Sequence, residues 1–332
     1  MSEQIPLISV IVPCRNEIKY IRGTISSLLE QQIVKDGLEI IIVDGMSDDG
    51  TKEILEKYSK VNSKVKVIDN LKKATPFALN IGIDNASGKF ICIMGAHSEY
   101  SPDYLANCIK LMDEHPDVSC VGGPIISKGT NSFSEAAALA MSSYIGVGNA
   151  KHRFPEYEGY GEAVCFPMFR RNVFDKLGLY DETLIKNQDD EFFFRLKKSG
   201  GKIYLSPSVK SVYFVRNSPG ALFKQYFQYG YFRVAVLWKH KALRAFRQIV
   251  PSIFFLLVFS LIAVSLISRN ATIGVILPLV YIVSIIFFSI KELLKNNICI
   301  AYNFLIAVII LHVAYATGFF ACLIRLLLKK KF

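Results

Sequence analysis

Three long stretches of this 332-residue chain contain no Asp, Glu, Lys or Arg: Gln248–Ser268, Asn270–Ile290 and Asn296–Ile324. An uncharged apolar run of about 18 residues or more is long enough to cross a bilayer core as a helix. The C-terminal part of the chain is therefore expected in lipid, and it accounts for the positive mean hydropathy of the whole. Other absences narrow the chemistry. The seven cysteines (Cys14, Cys92, Cys108, Cys120, Cys165, Cys299, Cys322) are odd in number and show no CxxC spacing. That excludes a disulfide frame and a cysteine zinc site, and leaves small buried hydrophobes in a reducing compartment. No GxGxxG follows the first apolar run, so a dinucleotide fingerprint is missing. The short polar start, Met1–Pro6, gives no expectation of a cleavable signal peptide. Neither an internal repeat nor a low-complexity segment is found.

The charge that is present is uneven. Thirty-nine Lys and Arg against 28 Asp and Glu leave a formal net charge of +11. No recognition motif accompanies this excess, which excludes a nucleic-acid partner. Much of it gathers where the soluble part meets the apolar part, at Lys239, Lys241, Arg244 and Arg247, and again at Lys329, Lys330 and Lys331. Such clusters favour anionic headgroups and the cytosolic side of a membrane. The expected organisation is a soluble domain over 1–220, an amphipathic basic segment over 221–247 and a membrane domain over 248–332. About three transmembrane helices fit the last of these. Three crossings from a cytosolic start place Lys329–Lys331 outside, against the charge rule, so the third stretch is the weakest as a simple span.

Before residue 220 the pattern alternates. Leu7–Pro13 and Leu38–Val43 are nearly continuous β-branched runs, as in strands buried on both faces. Asn16 is placed to cap a helix whose apolar positions are Ile18, Ile21, Ile25, Leu28 and Leu29. Helices over Thr51–Ser59 and Thr75–Ala86, and strands over Lys64–Ile68 and Lys89–Met94, continue the series. Phe133–Met141, Asp190–Lys198 and Leu222–Leu237 read as helices, and Tyr157–Phe169 as an aromatic loop. Strand–helix alternation predicts an α/β fold with a mainly parallel sheet and right-handed crossovers. Ligands then bind beyond the carboxyl ends of the strands. Polar residues collect there: Pro13–Glu17, Asp44–Thr51 and Gly95–Glu99.

Asp44 ends an apolar strand and is followed by Gly45, so a carboxylate could meet a base or ribose while the glycine lets backbone approach closely. The plain alternative is a strand-to-helix turn capped by Asp49 or Thr51. Asp189, Asp190 and Glu191 form either a reactive carboxylate with neighbours or an acidic helix N-terminus.

Together, VPCRNE, EIIIVDGMSDDGT, Leu79-Asn80-Ile81-Gly82 and NQDDE with Arg195 resemble the family 2 glycosyltransferases of GT-A fold. The NQDDE block, the GAH segment and Lys224–Gly230 are similar to the membrane-associated, succinoglycan-type exopolysaccharide glucosyltransferases. The resemblance implies an inverting hexosyltransferase using a nucleotide diphosphate sugar, a UDP-sugar being expected, and a lipid-linked or saccharide acceptor at the cytosolic membrane face. It implies that Pro13, Arg15, Glu17, Asp44, Gly45 and Asn80 line the nucleotide-sugar pocket, and that Asp189 is the general base. Asp190, Glu191 and Gln225 would support the site or the acceptor. The family's DxD, which holds Mg²⁺ or Mn²⁺ against the diphosphate, is replaced by Gly95-Ala96-His97. His97 is then a weakened metal ligand, a direct donor to the diphosphate, or a residue that packs beneath the site. Two alternatives remain. One is an inactive membrane-tethered nucleotide-sugar-binding scaffold, motivated by Gly95. The other is a processive synthase, whose QxxRW signature Gln225, Tyr226, Tyr229, Arg233 and Trp238 match poorly.

Overall fold

The structure, a computed structural model, describes residues 6–32, 37–243 and 245–328. Arg244 and Lys329–Lys331, named above for their charge, lie outside the described residues. In chain order the elements are β1 (Ile8–Cys14), α1 (Ile21–Leu29), β2 (Leu38–Asp44), α2 (Thr51–Val61), β3 (Val65–Asp69), α3 (Thr75–Asp84), β4 (Phe90–Ile93), β5 (Ser98–Tyr100) and α4 (Tyr104–Glu114). Then come β6 (Cys120–Gly122), β7 (Ile125–Lys128), α5 (Ser132–Met141), α6 (Tyr144–Val147), β8 (Gly159–Tyr160), β9 (Met168–Arg170), α7 (Asn172–Leu177), α8 (Gln188–Lys198), β10 (Ile203–Leu205) and β11 (Ser211–Phe214). Four long helices close the chain: α9 (Pro219–His240), α10 (Val250–Ser268), α11 (Ala271–Lys295) and α12 (Ile298–Leu327).

These elements form two compact units. One holds the chain up to Ile126 together with Lys151–Tyr213; the other holds Ser127–Ala150 and the chain from Phe214 onward. The segment Ser127–Ala150 thus groups with the C-terminal helices, a division that cuts across 1–220.

In the first unit an eight-stranded sheet runs in the order β3-β2-β1-β4-β9-β6-β10-β8. β3, β2, β1 and β4 are mutually parallel, as the buried β-branched runs predict. β9 runs antiparallel between β4 and β6, and it lies at the end of the stretch read from sequence as a loop. Alternate residues face opposite layers, the period-2 rule of a strand. Val10, Val12, Ile40 and Ile42 pack with Ile21, Ile25 and Leu28 of α1 and with Tyr104 and Leu105 of α4. Ile11, Ile41, Val43 and Ile91 pack on the other side with Leu79 and Ile83 of α3 and with Phe192 and Phe193 of α8.

One local expectation fails. Asn16 does not cap α1, which starts at Ile21 with Tyr20 at the N-cap and no side-chain cap bond. Asn16 has φ 56°, and its amide is taken by Asp48 of the next loop. Ile18 consequently precedes the helix and is exposed.

In the second unit α12 packs against α9, α5, α10 and α11. The α9–α12 contact is backbone on backbone. A Cβ on Gly230 would lie 1.9 Å from the Tyr315 carbonyl oxygen, and one on Gly318 would lie 2.0 Å from that of Phe227. Small residues at crossing points are how apolar helices associate without a hydrophobic drive between them. Three of these helices, Val250–Ser268, Ala271–Lys295 and Ile298–Leu327, are long and apolar enough to cross a membrane. The third stretch, the weakest candidate from sequence, is one unbroken helix of 30 residues.

Candidate active site

The carboxyl ends of β2, β1 and β4 lie side by side, and the loops that follow them are laced together. The β1–α1 loop meets the β2–α2 loop through a reciprocal pair: Asn16 Nδ2 donates to Asp48 Oδ1 at 2.8 Å, and the Asp48 N–H donates to Asn16 Oδ1 at 3.0 Å. The backbone N–H groups of Asn16, Glu17 and Ile18 donate in turn to Ser47 Oγ (2.9 Å), Thr51 Oγ1 (2.9 Å) and Asp49 Oδ2 (3.2 Å). Backbone donors of an irregular loop need partners when partly buried, and here one loop's side chains supply the other's main chain.

Asp44 is fully buried at the end of β2. Its carboxylate accepts from Ser47 N at 3.0 Å and from Ser47 Oγ at 2.6 Å. An ionised carboxylate has about four acceptor positions, so these bonds fix Asp44 and leave capacity for a ligand's N–H or O–H. Beside it the stem of the exposed Arg15 crosses Gly45, where an added Cβ would lie 3.1 Å from Arg15 Cβ. Pro13 is half-buried in the same strand end. Cys14 is close by, and burial, then Asp44, Glu17 and Asp49, push its thiol far above the ordinary range. It stays protonated and is no nucleophile.

The third loop carries His97. Its Nδ1 lies 3.1 Å from Oε1 of Glu17. Its ring stands between those of Tyr20 (centroids 6.5 Å) and Tyr213 (5.9 Å). Thr24 of α1 anchors the segment by donating to the Ala96 carbonyl at 2.9 Å. The antiparallel pairing of β5 with β11, Ser98 opposite Tyr213, brings that tyrosine alongside. Sequence reasoning missed Tyr20 and Tyr213, which only tertiary pairing sets here, and it included Ser47 and Asp48 in the polar stretch Asp44–Thr51 without giving them partners.

Asp189 is exposed at the head of α8, just after Asn187 with φ 60° turns the chain. One of its oxygens accepts from the Asp190 N–H at 2.8 Å. Its charge is felt at the half-buried Cys165 and the buried Tyr180. Asp190 and Glu191 turn inward and are buried. Glu191 pairs with Arg195 at 2.9 Å, and Arg195 also donates to the carbonyls of Leu177 (2.6 Å) and Leu179 (2.8 Å). Asn80 is likewise engaged within the protein. Its amide donates to the Tyr180 carbonyl (2.9 Å) and to Glu182 (3.0 Å), and it accepts from the Tyr180 N–H (2.9 Å). Gln225 lies on α9 in the helical unit, donating to the Tyr229 hydroxyl at 3.0 Å. Among the described residues no group of three or more His, Cys, Asp or Glu side chains is arranged to hold a metal ion by itself. A cation bridging two phosphates draws most of its ligands from phosphate and water, and one or two protein donors suffice.

A mixed, mainly parallel sheet flanked by helices, with polar loops at the carboxyl ends of its first strands, is a fold of GT-A type. The chain belongs to glycosyltransferase family 2: the model of that family, Glycosyl transferase family 2, matches residues 9–178. A succinoglycan biosynthesis protein, ExoA, of Rhizobium meliloti is 30% identical over 73% of this chain and 73% of its own. A dolichyl N-acetyl-alpha-D-glucosaminyl phosphate 3-beta-D-2,3-diacetamido-2,3-dideoxy-beta-D-glucuronosyltransferase of Methanococcus voltae is 29% identical over 96% of this chain and 97% of its own. The mannosyltransferase PcManGT of Pyrobaculum calidifontis, solved with GDP-Man and Mn²⁺, superposes with a TM-score of 0.61 at 18% identity, over 93% of this chain and 87% of that one. The likeness to that structure is one of fold.

Proposed function

We propose that this glycosyltransferase moves a hexose, with inversion, from a UDP-sugar to a lipid-linked acceptor at the cytosolic face of a membrane, in cell-surface polysaccharide or glycolipid synthesis. The observation that carries the reading is the meeting of Asp44, Glu17 and His97 on three adjoining strand ends, with Asp189 presented at the head of α8. Asp44 would hold the base, Arg15 and the Gly45 backbone the ribose and diphosphate, and His97 the divalent cation, Mg²⁺ or Mn²⁺, that screens the departing charge. Asp189 takes the proton from the acceptor hydroxyl. The hydroxyl oxygen attacks C1 of the sugar from the face opposite the leaving group. The C1–O bond to phosphate breaks, and the nucleoside diphosphate leaves with that electron pair. Rate comes from holding the hydroxyl near C1 and from charge stabilisation at the leaving oxygen.

The lipid-linked acceptor is supported by three apolar helices on the same chain and by the Methanococcus relative, which matches nearly the full length and is named for a dolichyl-linked sugar phosphate. A cytosolic catalytic unit is supported by Lys239, Lys241 and Arg247 just before the first of those helices.

The test is release of nucleoside diphosphate by the protein in lipid nanodiscs, scanning UDP-, GDP- and dTDP-sugars with Mn²⁺ and Mg²⁺ and added lipid extract. Turnover of one donor, abolished by Asp189→Asn, is the expected result. Tight UDP binding without turnover of any donor would replace the transferase with a binding scaffold.

A further inference from the structure

The segment Gly95-Ala96-His97 offers no carboxylate, and a side chain at its first position would meet close neighbours. A Cβ on Gly95 would lie 3.1 Å from Cε1 of Phe166 and 3.4 Å from Oγ of Ser98. The Gly95 N–H donates to the Tyr100 hydroxyl at 2.6 Å, and that hydroxyl donates back to the Gly95 carbonyl at 3.2 Å. The rings of Tyr100 and Phe166 meet edge-on at 5.2 Å. The Phe166 ring therefore crowds the space beside Gly95, while Tyr100 holds its backbone. The donor available to a cation stands two residues further on, at His97.

Glu17 bears on which nitrogen of the neutral His97 ring carries the proton. A carboxylate accepts hydrogen bonds and does not donate them when ionised, so the 3.1 Å contact to Nδ1 requires the proton on Nδ1. In the neutral ring Nε2 then carries a lone pair and no hydrogen. Such a nitrogen ligates a cation and cannot donate to a phosphate oxygen. Glu17 is itself fixed at both ends of its backbone unit. Its N–H is held by Thr51 at 2.9 Å, and its carbonyl accepts from Tyr20 and Ile21 at 2.9 Å as the chain enters α1. Carboxylate–imidazole pairs of this kind orient metal ligands from one layer out.

We propose that Glu17 is a positioning residue that holds His97 as its Nδ1–H tautomer, so that Nε2 is the side-chain donor to a diphosphate-borne divalent cation. This rests on the transferase reading above for its placement of the cation, and it reassigns Glu17 from pocket lining to control of His97. The test uses the full chain in nanodiscs with ¹⁵N-labelled histidine, the His97 signals identified by their loss in His97→Gln. The tautomer is read from the ¹⁵N shifts of the neutral ring, at a pH above which added base no longer changes the spectrum. The proton is expected on Nδ1 in the wild type and in Glu17→Gln, whose amide oxygen still accepts. In Glu17→Ala it moves to Nε2, the site a free neutral imidazole prefers. Mn²⁺ affinity in the presence of UDP, followed by electron paramagnetic resonance, should fall about 10–100-fold in Glu17→Ala and recover in part in Glu17→Gln. A wild-type proton on Nε2, or an unchanged Mn²⁺ affinity in Glu17→Ala, overturns the proposal. Failure of the transferase reading looks different. The tautomer and the Mn²⁺ affinity would respond to Glu17 as stated while no donor is turned over, which upholds the positioning role and removes the reaction.

Discussion

The α/β unit buries the carboxylates of Glu39, Asp44, Asp190 and Glu191, whereas the buried polar side chains described in the helical unit are Ser134, Gln248, Ser252 and Ser289, none of them charged. Glu39 accepts from Ser9 Oγ (2.5 Å), Ser87 N and Oγ (2.7 Å each) and Lys66 Nζ (3.1 Å). Glu191 is closed off by Arg195. In the helical unit, contact is made instead where side chains are absent, at Gly230 and Gly318. The difference is the one expected when helices as long and apolar as these cross a membrane. A buried ion held on several sides is tolerable in a unit folded from water and costly where the outside is hydrocarbon. Helices whose outer faces meet lipid gain specificity from close backbone approach instead.

Five substitutions bear on this contrast. The largest effect is expected where charge does chemistry. Asp189→Asn should lower turnover about 10²–10⁴-fold while UDP affinity, measured by calorimetry, persists. Equal loss of both would show that the carboxylate holds structure. Next is charge that only holds structure. Glu191→Ala leaves the Arg195 guanidinium without its carboxylate and should cost about 3–5 kcal/mol of stability in a denaturation curve. Ser289→Ala in the helical unit loses only a 2.9 Å bond to the Ile285 carbonyl of its own helix and should stay within about 1 kcal/mol. Parity between those two would erase the contrast.

Packing comes third. Gly318→Leu forces a side chain against the Phe227 carbonyl and should lower stability in detergent by about 1–3 kcal/mol, read as an earlier thermal transition. A tolerated leucine would mean that α9 and α12 part without loss.

The smallest effect at neutral pH is the titration of Glu39. Burial alone would raise its carboxyl, but the hydrogen bonds from Ser9, Ser87 and Lys66 outweigh burial and hold it at about 2. Because the folded value lies below the ordinary 4.5, the stabilisation is fully present above that pH and is lost as pH falls from about 4.5 to about 2. Glu39→Gln should flatten that acid limb of the thermal midpoint. An unchanged limb would place the acid-sensitive group elsewhere.

Much of the fold was legible because it is local. LISVIVP and LEIIIV are strands since β-branched residues fit a pleated, doubly covered surface, and the uncharged stretches are helices that only lipid or protein can surround. Asp44 ends a strand and Asp189 starts a helix, as the local pattern predicts. The antiparallel insertion of β9, the grouping of Ser127–Ala150 with the C-terminal helices and the clamp of Asn80 on residues 180–182 left no local trace. Each depends on partners far away in the chain.

The sequence by itself therefore determined the class of each segment, which ones avoid water, and which side chains lie at strand ends, because periodicity and charge act over a few residues. Only the tertiary structure decided that Glu17 meets His97 across 80 positions, that Phe166 covers Gly95, and that Asn16 pairs with Asp48 instead of capping a helix. Those contacts are set by sheet order and loop packing. Every strand in register must be in place before two such residues come within hydrogen-bonding reach.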